Sequence, residues 1–257
     1  MLFTRPVKWL ASVMVMAGCA AAENGAPHEA KDYTIQNKSK LHHEDRKKPA
    51  SNQAGTKGSP KARNKVLIDA PHIRQTPELA RGCEVTSLAM LLNQAGVSID
   101  KMTLSEKIRK VPFEANGLRG NMNDGFVGNM ATMSKPGIGV YHGPIRDLAE
   151  SYLPGKVLDF TGKGFDIVIE QLDKKRPVWV IVTSTFDIVP DKEWETWNTA
   201  SGPIKITYKM HSVLVTGYDD DYIYFNDPLH RKNRRLPRKP FIAGWEQMGK
   251  QAITIKT

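Results

Sequence analysis

Residues 80–92 read ARGCEVTSLAMLL. Val85, Leu88, Ala89, Leu91 and Leu92 recur at helical spacing and Gly96 closes the run, so the stretch predicts a helix over 83–95 that begins at Cys83. A cysteine in that place has two physical readings. It can be a small hydrophobe packed in a core helix. Alternatively it is a nucleophile whose thiolate is favoured by the positive end of the helix it opens. The chain holds only two cysteines, Cys19 and Cys83, so the setting of the first bears on the second.

Residues 1–20, MLFTRPVKWLASVMVMAGCA, put Arg5 and Lys8 ahead of an apolar stretch from Trp9 to Ala17. That stretch is too short to span a bilayer and has the layout of a secretory signal peptide. Its end, Met16-Ala17-Gly18-Cys19, resembles the lipobox of bacterial lipoproteins, in which the cysteine becomes the lipidated first residue. Met16 departs from the leucine usual there, and cleavage within AAAEN at 20–24 would give a soluble secreted product instead. With Cys19 lipidated, Cys83 is the sole thiol left in the mature chain and no intramolecular disulfide can form. The expected location is then the outer face of the cytoplasmic membrane.

The formal charge of +10 invites a nucleic-acid reading, but its distribution argues against one. Residues 20–65 hold ten Lys/Arg against five Asp/Glu, whereas residues 66–257 hold 25 against 22. The basicity sits mainly in a segment rich in Lys, Asn, Ala, Gly, Pro and Ser, whose composition cannot bury enough surface to offset chain entropy. Residues 20–65 are therefore expected to be a disordered basic spacer that adds attraction to anionic lipid or cell-wall surfaces. His42 and His43 lie within it and lack a third ligand, so no metal site is expected there.

From residue 66 the pattern is that of one folded domain. VLID (66–69) reads as a strand, and Thr103-x-x-Glu106 before KIRKV resembles a capping box that opens a second helix. Seven glycines between Gly117 and Gly143 mark a long irregular loop, functional or mobile. PIRDLAESYL (144–153) and FDIVIEQLDKK (165–175) read as helices. PVWVIVT (177–183), IKITY (204–208), HSVLVTGY (211–218), YIYFND (222–227) and QAITI (251–255) read as strands, with a short helix in PFIAGWEQMG (240–249). Helices first and strands after imply an α+β fold with a mostly antiparallel sheet. The run RKNRRLPRK (231–239), six cations in nine residues, reads as a solvated basic loop, with anionic partners as the alternative.

A hairpin centred on Asp219 would set His211 opposite Asp227, with Cβ atoms roughly 4.5–5.5 Å apart. A slip of one residue would pair Ser212 with Asp227 instead. A carboxylate facing an imidazole across two strands is how a catalytic histidine is oriented.

The order Cys, His, Asp, with the thiol at a helix start, resembles that of papain-fold cysteine peptidases. The nearer likeness is to the bacteriocin-processing, double-glycine peptidase family, in its stand-alone exported branch. It rests on QTPELARGCEVTSLAMLL, DGFVGNM, GVYHGPI, HSVLVTGYDDDYIYFNDPL and WEQMGKQAI, spread over 66–257. The resemblance implies a papain-like fold with Cys83 as nucleophile, His211 as general base and acid, and Asp227 as orienting carboxylate. It also implies that Gln75 and the backbone N–H of Cys83 hold the oxyanion. Asn226 is the rival to Asp227, because papain itself uses an amide there. Glu84 adjoins the thiol, but neighbouring helix positions point in different directions, so no direct role is expected. The helix start and His211 together should depress the Cys83 pKa.

The sequence thus points to an extracytoplasmic, lipid-anchored cysteine peptidase acting on peptide or protein, with no metal or organic cofactor and no nucleic-acid partner. Amide hydrolysis or transpeptidation of cell-wall peptides on the same triad, or a non-catalytic surface-binding lipoprotein, are the alternatives. Replacing Cys19 by alanine should release the protein into the medium on cell fractionation. Continued tight membrane retention would defeat the lipoprotein reading.

Overall fold

The computed structural model describes residues 65–256; Cys19, the signal-like segment, the basic spacer and His42/His43 lie outside the described residues. The first half comprises β1 (Val66–Leu67), α1 (Cys83–Gln94), α2 (Lys101–Lys107), β2 (Lys110–Val111), β3 (Glu114–Ala115), β4 (Leu118–Arg119), β5 (Phe126–Val127) and α3 (His142–Tyr152). There follow β6 (Val157–Asp159), α4 (Phe165–Asp173), β7 (Val178–Thr183), β8 (Glu195–Thr199), β9 (Gly202–Ile206), β10 (Met210–Tyr218), β11 (Tyr222–Asn226), β12 (Arg234–Pro237), α5 (Arg238–Gln247) and β13 (Ala252–Ile255). The fold is α+β, as the sequence implies. Among the described residues no helix is long and apolar enough to cross a membrane.

The central sheet runs β12-β11-β10-β7-β13-β6, with β1 paired to β10, and every pairing in it is antiparallel. Its middle strands are covered on both faces, which is why β7 is continuously apolar rather than alternating. Strand parity divides the core. Trp179, Ile181, Leu214 and Ile253 pack with α1, α2 and α3. Val178, Val180, Val182, Val213, Val215 and Phe225 pack with Phe165 of α4 and with Phe241 and Trp245 of α5. Helix α1 lies innermost: its first ten residues, Cys83 through Leu92, are all buried. A helix apolar nearly all round belongs in that position.

Several local expectations are revised. Helix α2 is capped by Asp100, not Thr103: Asp100 Oδ1 accepts from the backbone N–H of Met102 at 2.7 Å and of Thr103 at 2.9 Å. That cap satisfies donors of the first turn, so the helix starts and ends earlier and KIRKV gives way to β2. The basic run 231–239 is not one loop, since it contains β12 and the start of α5. The β10–β11 hairpin also has another register, with Leu214 opposite Asn226 and Val215 opposite Phe225, then a bulge before Gly217 opposite Tyr224. His211 is therefore not opposite Asp227, and the ladder ends at Asn226.

Trp245 joins the sheet to α5. It is fully buried, packs edge-on to Phe165 at 5.1 Å and donates its indole N–H to Gln251 O at 3.0 Å. Trp245→Ala should lower the unfolding free energy by about 3–5 kcal/mol, read as a lower urea midpoint at unchanged slope.

Candidate active site

Cys83 opens α1 after Gly82, whose backbone needs glycine for room: a Cβ there would come within 2.5 Å of Leu79 Cβ. The helix can thus begin tightly against the preceding turn. The Cys83 thiol is buried and lies against the backbone N–H of Ser212, the residue after His211 at the start of β10. It donates to Glu84 Oε2 at 3.3 Å.

His211 follows the parity of Val213 and Val215, and its ring meets Phe186 edge-on at 5.9 Å. Its Nε2 lies 2.9 Å from Asp227 Oδ1, and both side chains are buried. The contact forms although the strand register does not oppose the two residues. Asp227 stands one residue past β11, where its backbone N–H donates to Arg231 O and its own carbonyl accepts from His230 N–H. This turn carries the carboxylate to the end of β10. Asn226 is committed elsewhere: its Nδ2 donates to Ala70 O and Pro71 O, and its Oδ1 accepts from Asn233 N–H. The imidazole's carboxylate partner is Asp227, and Asn226 serves as a clamp between the chain after β1 and the turn.

The Asp227 carboxylate accepts from His211, from Leu229 N–H at 3.0 Å and from Arg234 Nη1 at 2.7 Å. His72 Nε2 donates to its backbone carbonyl at 2.8 Å. Burial alone would raise its pKa, but the His211 and Arg234 interactions outweigh burial and hold it well below the usual carboxylate range. Arg234 is itself fixed, lying 4.7 Å over Phe186 and 5.8 Å over Phe225. Its role was hidden in a basic run that looks like solvated surface.

Gln75 is buried, and its Nε2 donates to Leu79 O at 3.1 Å and Ala80 O at 3.2 Å. Its Oε1 is buried with no hydrogen-bond partner. Lys101 holds this segment from α2, donating to the backbone carbonyls of Arg74 and Gln75 and to Glu78 Oε2 at 2.6 Å. Nothing in the spacing of Lys101 announces that task.

Glu84 departs furthest from expectation. It is buried, its Oε2 accepts from the thiol, and its Oε1 accepts from Val140 N–H at 3.1 Å. Gly139 makes room for it, since a Cβ there would fall 2.3 Å from Oε1. A long side chain in the first turn curls back, so the rule that adjacent helix residues diverge does not apply. Burial raises its pKa to about 7, against the lowering effect of the Val140 and Cys83 hydrogen bonds. Burial and then the Glu84 charge push the Cys83 thiol well above its ordinary value, with the Ser212 N–H acting the other way. The depressed thiol expected from the sequence is thus reversed in this structure.

Two depressions flank the centre. One of about 420 Å³ beside Asp227 is lined by Arg74, Leu229, His230, Arg231 and Arg234. The other, of about 510 Å³, includes Tyr141, His142, Trp194 and Lys205 and does not reach Cys83, His211 or Asp227. Among the described residues no group of three or more His, Cys, Asp or Glu side chains is placed to hold a metal ion.

Comparison with known proteins places the chain in a family. Residues 67–253 match the Peptidase_C39 like family. The uncharacterized protein YvpB of Bacillus subtilis (strain 168) is 48% identical over 208 residues, 80% of each chain. The crystal structure of a candidate C39-like peptidase from Bacillus anthracis superposes with a TM-score of 0.74 at 46% identity, covering 76% of this chain and 98% of that one.

Glu84 binds its proton more tightly in the folded chain than in the unfolded one, so its contribution to stability is lost as pH rises from about 4.5 towards 7. The shift corresponds to a loss on the order of 3 kcal/mol above pH 7. Urea unfolding across that range should show the decline in the wild type and a flatter profile in Glu84→Gln.

Proposed function

The chain belongs to the Peptidase_C39 like family, and from that membership we propose that it is a cysteine peptidase using Cys83, His211 and Asp227. The observation that carries this reading is the buried 2.9 Å bond from His211 Nε2 to Asp227 Oδ1, with the Cys83 thiol against the backbone N–H of the next residue, Ser212. The bond keeps the N–H on Nε2, so the lone pair of the neutral imidazole is on Nδ1.

The reaction follows from that tautomer. Nδ1 takes the thiol proton and the Cys83 sulfur attacks the peptide carbonyl carbon. The carbonyl oxygen gains the negative charge and accepts from the Cys83 backbone N–H. Gln75 Nε2 joins it after leaving the Leu79 and Ala80 carbonyls. His211 then protonates the departing amine, leaving the acyl half as a thioester on Cys83. Water gives a proton to Nδ1 and adds to the thioester carbonyl. Collapse of that adduct expels the Cys83 sulfur and frees the acid.

The proposal includes a preference for anionic substrates, supported by the pocket beside Asp227, whose lining carries Arg74, His230, Arg231 and Arg234 and no acid. The proposal includes an extracytoplasmic location with a lipid on Cys19, supported by the sequence at 5–19.

The test is the cleavage profile of the purified protein on a peptide library. Cleavage should vanish in Cys83→Ala, and Gln75→Ala should lower kcat by about 10²–10³. Turnover of cell-wall fragments with no cleavage of the library would replace the peptidase by an amidase or transpeptidase. A wild type inert toward both would leave a binding protein.

A further inference from the structure

Glu84 touches the nucleophile, yet the reaction above gives it no task. Its carboxyl bridges the Cys83 thiol on Oε2 and the Val140 N–H on Oε1, and no cation pairs with it among the described residues. From β7, Trp179 donates its indole N–H to the Glu84 carbonyl at 3.0 Å, and three further elements surround the residue. From its own helix comes Cys83. From the segment before α3 come Gly139, Val140 and Tyr141, whose phenol burial pushes up to about 12. From β10 comes Met210, packed on Gly139 and followed by His211, whose Nε2 is taken by Asp227.

A thiol donating to a carboxylate and a thiolate accepting from a carboxylic acid differ only in the position of one proton. Removing a second proton sets two anions against each other in a buried site, where like charges repel strongly. Resting on the reading of Cys83 as nucleophile, we propose that Glu84 is a positioning residue whose charge governs when the thiol can give up its proton. The thiolate is free to attack only while the Glu84 carboxyl is neutral. The thiol proton thus passes to His211 Nδ1 with Glu84 protonated. When Glu84 is ionised the same transfer would leave a thiolate beside a carboxylate, and Cys83 stays a thiol. The carboxyl's raised pKa puts that change near neutral pH.

Glu84→Gln separates this role from a structural one. The amide oxygen can still accept from Val140 N–H, and the amide nitrogen donates to sulfur without bringing charge. A purely structural Glu84 would leave the thiol's titration where it was. The measurement is the rate of Cys83 alkylation by iodoacetamide against pH, in the purified protein. Glu84→Gln should alkylate at least tenfold faster than wild type at pH 7, with its midpoint moved about one unit or more toward acid. Coincident profiles, or a shift toward alkali, would overturn the proposal.

If Glu84→Gln does not fold, as judged by circular dichroism, the proton is followed in the other partner. The infrared band of the protonated Glu84 carboxyl should titrate at higher pH in Cys83→Ala than in wild type, because the thiol donor is gone. An unmoved band refutes the coupling. Alkylation also separates this inference from the peptidase reading. Shifted alkylation with no peptide cut by either form sinks the peptidase and keeps the coupling; cleavage with unshifted alkylation does the reverse.

Discussion

A carboxylate taken wholly out of water costs several kcal/mol unless charge and hydrogen bonds replace its hydration. Asp227 is such a group, and much of the surrounding architecture can be read as its replacement solvent. His211 arrives from β10, Arg234 from β12, and Leu229 N–H from the turn between. His72 secures the backbone carbonyl from the chain after β1. Phe186 then fills the space under both partners, edge-on to the imidazole and beneath the guanidinium. The position of β12 follows from this demand, because an edge strand there brings Arg234 to within 2.7 Å of the carboxylate. Removing that arginine would leave His211 holding a charge it could not neutralise alone.

The elements legible in the sequence are those whose burial is extreme. Helix α1 and strands β7, β10, β11 and β13 carry unbroken apolar runs or a clear helical period, and nothing competes with those signals. The elements that escaped are short and half-exposed. Strand β8 (ETWNT) sets one tryptophan among polar residues and β12 (RRLP) opens on two arginines, patterns that a polar or basic loop shows equally well. The start of α2 was misplaced because two capping residues three apart, Asp100 and Thr103, compete for one helix end. Asp100 accepts two backbone bonds and, in addition, the Thr103 hydroxyl.

The site was legible by residue type and obscure in geometry. His211 and Asp227 do meet, but the bulge between Val215 and Gly217 shifts the hairpin register, and the turn after Asn226 restores the contact. Bulges leave little trace in a single sequence, so agreement on the pair came through a register that the fold does not use. Arg234 and Lys101 were missed for a common reason. Their functions depend on partners brought to them by a turn, Asp227 for Arg234, or by tertiary packing, the carbonyls of Arg74 and Gln75 for Lys101. No local pattern encodes such partners.

Magnitudes explain why the helix start did not settle the state of Cys83. A helix N-terminus favours an adjacent anion by about 0.3–1 kcal/mol, reaching ~2 kcal/mol in partly buried sites. Burial acts on the same atoms with more force. It raises Glu84 from 4.5 to about 7 although that residue occupies the same first turn and accepts a backbone N–H. Asp227 is also buried yet stays ionised, because the Arg234 guanidinium and the His211 imidazole N–H face it. One protein thus drives two carboxyls in opposite directions although burial raises both, and the difference lies in their partners. Asp227 has Arg234 and an imidazole; Glu84 has a thiol and an amide. Environments that separate two carboxyls in this way divide acid–base roles between them. The permanent anion is the one that can hold the imidazole. The carboxyl able to become neutral is the one a thiolate can tolerate as a neighbour.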